Sequence, residues 1–159
     1  MKFSAKALYG LRASFVLGQN FGKVALSVSR LSALAGVSPA YLEKIMHTLK
    51  KDGIVTSQMG SSGGYVLSRP PPQISIGEIL TSLEGDLFLS SCVANDCKSK
   101  NCPNKNIFEI IYFSINDVLS RLTLQQMMDE YINGNKNQKS PTEVSSRATG
   151  RIPIKEKKL

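Results

Sequence analysis

The chain is short of the residues that most chemistry needs. Among its 159 residues there is one histidine, His47, and there are three cysteines. No apolar run approaches the ~18 residues of a membrane-spanning helix, so no membrane span is expected. The opening MKFSAKALYGLRASFVLGQN is mildly basic and amphipathic, but it lacks the continuous apolar stretch and small-residue cleavage site of a secretory signal. A cytoplasmic location follows as the expectation. No internal repeat is visible. No acidic pair stands at a spacing that suggests acid-base work, and His47 falls on the outer side of an amphipathic helix, where it reads as an exposed neutral imidazole. The segment GQNFGK at Gly18 is superficially similar to a phosphate-binding loop. It is one residue short between its glycines and has no hydroxyl after Lys23. The chain is therefore not expected to be an enzyme.

What is present begins with charge. The formal net charge is +8, which makes nucleic acid a natural partner, because phosphate contacts by Lys and Arg release counterions. From Gly134 onward, however, seven Lys or Arg stand against two Glu, so +5 of that charge lies in the last 26 residues and only +3 in residues 1–133. Charge alone supports nucleic-acid binding weakly. The case rests on pattern.

Residues 3–18 place Phe3, Ala7, Leu8, Leu11, Phe15 and Leu17 at roughly helical spacing, which predicts a first amphipathic helix. Ser29 then can cap a short helix containing Leu31 and Leu34 that stops at Gly36. Ser38 can cap the next helix, with Pro39 at its first position, where the missing N–H is no loss. Two short helices joined by a glycine turn predict a helix-turn-helix. In the second of them Leu42, Ile45, Met46 and Leu49 form the inward stripe. Ala40, Tyr41, Glu43, Lys44, His47, Lys50 and Lys51 lie nearer solvent, on a surface that suits a DNA groove or simply water. The β-prone runs Ile54 to Gln58 and Tyr65 to Leu67, joined by MGSSGG and closed by three prolines, predict a hairpin. A helix-turn-helix followed at once by a hairpin has the order of a winged helix, which favours DNA binding over a plain bundle.

Ser75 and Glu78 have capping-box spacing and open a short helix with Ile76, Ile79, Leu80 and Leu83 as its apolar side, ending near Gly85. A long helix is expected from about Asn104 to Leu122. Its stripe of Ile107, Phe108, Ile111, Ile115, Val118, Leu119 and Leu122 is wide for one small domain, so it is expected to pack on its own domain and on a second copy of the chain; burial within one subunit is the alternative. Thr123 and Gln126 repeat the capping-box spacing before a final short helix with Leu124, Met127, Met128 and Tyr131. The expected fold is thus mainly α with a small β-hairpin wing: a winged helix-turn-helix region over 1–85, a cysteine-rich loop over 86–103, a dimerisation helix and short helix over 104–133, and a disordered basic tail over 134–159.

The stretch SSCVANDCKSKNCPNK holds all three thiols, Cys92, Cys97 and Cys102. Structural disulfides are rare in a reducing compartment, and an odd count leaves one thiol over, so free or metal-bound cysteines are expected. The C-x4-C-x4-C spacing is too open for the C-x2-C knuckles of structural zinc, and no histidine lies nearby. Three thiolates in a polar loop suit an iron–sulfur cluster, with Lys98, Lys100 and Lys105 offsetting its charge. Zinc and unligated redox thiols stay open as alternatives.

The opening MKFSAKALYGLRA, the segment LSALAGVSPAYLEKIMHTLKKDGIVTSQMGSSGGYVLSRP, the box SIGEIL and three cysteines before a long helix together resemble the IscR and NsrR type of bacterial winged-helix regulator, the Rrf-two family. The resemblance runs from Met1 to about Tyr131, and its most specific parts are SPAYLEKI, the GGY at Gly63 to Tyr65, and the triple cysteine. It implies a homodimer crossing its long helices through Ile107, Ile111, Ile115, Val118, Leu119 and Leu122, with a recognition helix in each major groove. It implies Cys92, Cys97 and Cys102 as ligands of a 2Fe-2S or 4Fe-4S cluster that senses redox state, nitric oxide or iron. Carried over by position, it implies that Ser38, Ala40, Tyr41 and Glu43 open the recognition helix and that Gln58, Met59, Gly60 and Ser61 form the wing tip, and on a DNA-bound reading Lys44, Lys50, Lys51 and Arg69 are expected to hold phosphates.

Two departures stand out. Relatives with a complete ligand set add a histidine after the third cysteine or an acidic residue in the first helix; here Lys105 and Leu8 stand at those places, so the fourth site is open, filled by a small molecule, or supplied by a residue such as Asp96 or Glu109. Met59 replaces an arginine that some relatives insert into the minor groove. The expected function is a DNA-binding regulator, a repressor by resemblance, reading a near-palindromic operator with half-sites about 34 Å apart or a multiple of that. The alternatives are the same fold controlled by a partner protein or by thiol chemistry, and a zinc-bound interaction module.

Overall fold

The computed structural model describes residues 3–60, 63–85 and 103–137. Helix α1 (Ala5–Gln19) is capped by Ser4, whose side chain accepts from the amide of Ala7. Its core face is built mostly from small residues, Ala7, Gly10, Ala13, Ser14 and Gly18, with Val16 and Leu17. Leu8, expected in the apolar stripe, is exposed, and Leu11 and Phe15 are half-buried. The physical reason is close approach: a Cβ on Gly10 would overlap the side chain of Leu83, and one on Gly18 would sit 2.7 Å from the sulfur of Met128. Later helices pack directly onto this glycine-bearing face, leaving larger side chains to the flanks.

Helix α2 (Val28–Ala35) starts earlier than the serine pattern suggests. Ser27, not Ser29, is the cap and accepts from the amide of Arg30 at 3.3 Å. The cause lies just upstream, where Leu26 and Tyr65 exchange main-chain hydrogen bonds of 3.1 and 2.8 Å and hold the chain extended up to Ser27. Gly36, at φ 67, closes the helix in the left-handed conformation that glycine adopts without strain. Leu31 is fully buried, whereas Leu34 is 54% exposed. Helix α3 (Pro39–Lys51) begins at Pro39 after Ser38, whose hydroxyl makes no capping bond. Its stripe behaves as the spacing demands, with Leu42, Ile45, Met46 and Leu49 all at 0% exposure. Each such burial contributes about 1.5–3 kcal/mol before chain entropy is subtracted.

Strands β1 (Val55–Gln58) and β2 (Gly64–Leu67) pair antiparallel, with Val55 opposite Leu67 and Gln58 opposite Gly64. The Leu26 bridge adds a one-residue third strand to this wing. After a 3-10 turn at Pro71–Gln73 comes α4 (Ile76–Glu84), with its reciprocal Ser75–Glu78 capping box formed. Ile79, Leu80 and Leu83 are buried, and the helix packs on α1 and α3. Helix α5 (Lys105–Arg121) packs on α4 and has no buried residue of its own. Helix α6 (Leu124–Asn137) returns to α1 and runs three residues past Gly134, where the tail is expected to begin. One glycine costs a helix only about 1 kcal/mol, too little to end it by itself. Residues 138–159, most of the expected tail, lie outside the described residues. The hydrophobic core is continuous from Ala13 of α1 through α3 and α4 to Leu124.

Candidate nucleic-acid interface

The core stripe of α3 points its opposite side outward. Ser38, Ala40, Glu43, Lys44, His47, Lys50 and Lys51, expected on that surface, are all exposed to solvent. Tyr41 differs: it is half-buried and meets the ring of Tyr9 edge-on at 6.0 Å, while the guanidinium of Arg12 lies 5.7 Å from the Tyr9 ring centre. Lys44 and Thr48 share one edge of the helix, where the Thr48 hydroxyl donates to the carbonyl of Lys44 at 3.0 Å. Lys50 reaches the wing and donates to the Ser57 hydroxyl at 2.5 Å, so one cation ties α3 to β1. Lys50 and Lys51 also stand in the last turn of α3, where the helix dipole favours positive charge.

The wing presents Gln58, Met59 and Gly60 at its tip. All three are exposed, Met59 fully so at 100%, and Gly60 adopts φ 115. Ser61, the last of the expected wing-tip residues, lies outside the described residues. Arg69, expected at a phosphate, is bonded elsewhere. Its guanidinium pairs with Glu78 at 2.9 Å and donates to the carbonyl of Gln73 at 3.0 Å. Nothing in the sequence signals this link between the wing's exit and the cap of α4. Burial pushes the Glu78 carboxyl up, but bonds from the Ser75 amide, from Arg69 and from the Ser75 hydroxyl, together with the charge of Arg69, outweigh it and hold the group below its ordinary value.

Cys92, Cys97 and Cys102, and with them Asp96, lie outside the described residues. Among the described residues no group of three His, Cys, Asp or Glu is placed to hold a metal ion. Of the remaining fourth-ligand candidates, Glu109 sits one turn into α5 beside Lys105 at 3.9 Å. The expected dimer residues lie along an open face: Ile107, Ile111, Val118 and Leu122 are exposed, and Ile115 and Leu119 are half-buried. Among the described residues no helix is long and apolar enough to cross a membrane.

A helix-turn-helix whose second helix shows a basic outer face, followed by a two-stranded wing, defines a winged-helix protein. Residues 3–130 match the family described as "Rrf2: Iron-dependent Transcriptional regulator". The chain belongs to this Rrf2 family of transcriptional regulators. An HTH-type transcriptional regulator of Neisseria meningitidis is 30% identical over 136 residues, which are 84% of this chain and 92% of that one. Among solved structures, T. potens IscR matches at TM-score 0.71 and 34% identity, covering 84% of this chain and 90% of its own. CymR, the global cysteine regulator of B. subtilis, matches at TM-score 0.70 and 28% identity, covering 81% of this chain and 97% of its own.

Proposed function

We propose that the protein is a homodimeric DNA-binding repressor whose affinity for a near-palindromic operator is controlled by an iron–sulfur cluster held by Cys92, Cys97 and Cys102. The observation that carries this reading is the placement of all three thiols in one segment between the end of α4 and the start of α5. The donor set fits the group, since iron in such clusters takes thiolate sulfur and the lysines at 98, 100 and 105 offset the negative charge. The free amides at the N-terminus of α5, three residues after Cys102, add a favourable dipole. The iron dependence named in the family description supports the same chemistry. A bound cluster would supply a centre sensitive to oxidants and nitric oxide. This chain's own residues supply the rest: α3 and the wing contact DNA, and the open face of α5 meets a second copy. The fourth iron site is left open, taken by a small molecule, or filled by a residue such as Asp96 or Glu109.

The test is anaerobic purification followed by iron and sulfide analysis. The expected result is visible absorption with iron and sulfide in the preparation, lost in Cys97→Ala. A colourless protein with free thiols that binds DNA normally would reject the cluster. It would favour a second reading, control by a partner protein or by thiol chemistry, which the likeness to the cysteine regulator CymR supports.

A further inference from the structure

A cavity of about 530 Å³ opens between α1, α2 and α6. Its floor is apolar, with Phe15 and Val16 from α1, Leu34 from α2 and Met127 from α6. Two guanidiniums, Arg12 and Arg30, line the same space, and no Asp or Glu does. Neither arginine forms an ion pair among the described residues, so two exposed positive charges border a cavity that is part apolar and part lined by Gln19 and Asn20, with no acidic group in its lining. Tyr131, packed edge-on against Phe15 at 5.0 Å, supplies an aromatic wall.

We infer that this cavity is a binding site for a small amphipathic carboxylate, its acid group between Arg12 and Arg30 and its apolar body on Phe15, Leu34 and Met127. The size falls within the range of small-molecule pockets, roughly 300–1,000 Å³. The lining joins apolar side chains to a small set of polar ones, as such sites do, with Gln19 and Asn20 beside the two arginines. Guanidinium is suited to carboxylate because its donors match both oxygens. Arg30 and Leu34 are one turn apart on α2, the first helix of the helix-turn-helix, so a ligand here would brace that helix against α6. Arg12 also lies over Tyr9, which touches Tyr41 at the start of α3. A carboxylate drawing on Arg12 therefore acts on a chain of contacts that reaches the recognition helix. The binding claim itself depends neither on a cluster nor on DNA.

The experiment uses the full chain with its methionine methyl groups labelled for NMR. The probe is 4-phenylbutyrate, with 4-phenyl-1-butanol as the uncharged analogue. Titration should shift the Met127 methyl saturably while Met46, buried in the core, stays still, and the alcohol should bind roughly tenfold more weakly or worse. Arg30→Ala should weaken the acid to about the level of the alcohol, again roughly tenfold. Leu34→Glu, at an exposed position that tolerates change, should abolish acid binding by neutralising Arg30 while the unfolding midpoint holds. Equal affinity for acid and alcohol would overturn the carboxylate assignment. So would an unmoved Met127 at millimolar probe, or a Met127 shift on removal of residues 138–159 in the absence of probe, which would make the chain's own tail the occupant. Displacement of bound acid by nonspecific duplex DNA at low salt would assign the arginines to phosphate and overturn it as well.

Discussion

Ser75 and Thr123 lie opposite each other in an antiparallel bridge, and each stands immediately before a helix. The amide of Ile76 donates to the carbonyl of Leu122 at 2.7 Å, and the amide of Leu124 donates to that of Ile74 at 2.8 Å. Thr123 exchanges bonds with Gln126 much as Ser75 does with Glu78, so two capping boxes are clamped side by side. The outgoing end of α5 is thereby fixed to the start of α4, with Gly77 so close that a Cβ there would lie 3.0 Å from the Leu119 carbonyl oxygen.

Glu78 gives this clamp a pH dependence. Its carboxyl titrates below the ordinary 4.5 in the folded chain, so its contribution is complete above that value and is lost as pH falls through the depressed one. Urea midpoints measured from neutral pH downward should fall through this acid range. Glu78→Gln, which keeps an acceptor for the Ser75 amide but drops the charge facing Arg69, should reduce the fall. An unchanged pH profile would exclude Glu78 as its source.

Gly64→Ala should destabilise the wing. A Cβ there would meet the main chain of Leu26, its carbonyl oxygen at 2.3 Å, and backbone cannot swing aside as a side-chain tip does. A loss of about 1–3 kcal/mol is expected, read from chemical denaturation. Amide exchange at Leu26 and Tyr65 should speed up in the same variant, because those two amides form the bridge.

On the proposed DNA reading, Lys44→Ala and Lys51→Ala should weaken binding to all duplexes about equally. Each should lower the slope of log affinity against log salt by about 0.9 for one lost phosphate contact. Lys50→Ala should do more, because Lys50 also holds Ser57 of the wing. A salt slope unchanged in all three variants would remove this face of α3 from the interface.

On the proposed dimer reading, the face of α5 that carries Ile107 at 52% exposure and Val118 at 54% is the apolar surface a second copy covers. Ile107→Lys combined with Val118→Lys should convert a dimer to a folded monomer in light scattering, with circular dichroism retained. A wild-type chain that is monomeric at the same concentration would count against the second copy as the cover of that face.

Elements whose cause is local are easy to read from the sequence. The α3 stripe of Leu42, Ile45, Met46 and Leu49 and the Ser75 box depend on spacing alone, and both form as the spacing requires. The GGY motif is visible too, although its reason is not: Gly64 is small because Leu26 passes beside it, some 38 positions earlier in the chain. That same distant contact moves the cap of α2 from Ser29 to Ser27. Leu8 and Leu34 fall outside the core for a related reason. Periodicity ranks side chains by apolarity, whereas close helix packing selects Gly10 and Gly18 for the inner face. The Arg69–Glu78 link and the placement of Arg12 and Arg30 around one cavity join elements far apart in sequence, where spacing carries no signal.

The wing is braced at its base and flank, by the Leu26–Tyr65 bridge and the Lys50–Ser57 bond, while Met59 at its tip is wholly open to solvent. Replacing that residue therefore leaves the scaffold's energetics almost untouched. On the proposed DNA reading, preference at the tip can be retuned, by selection or in the laboratory, one side chain at a time without re-solving the folding problem.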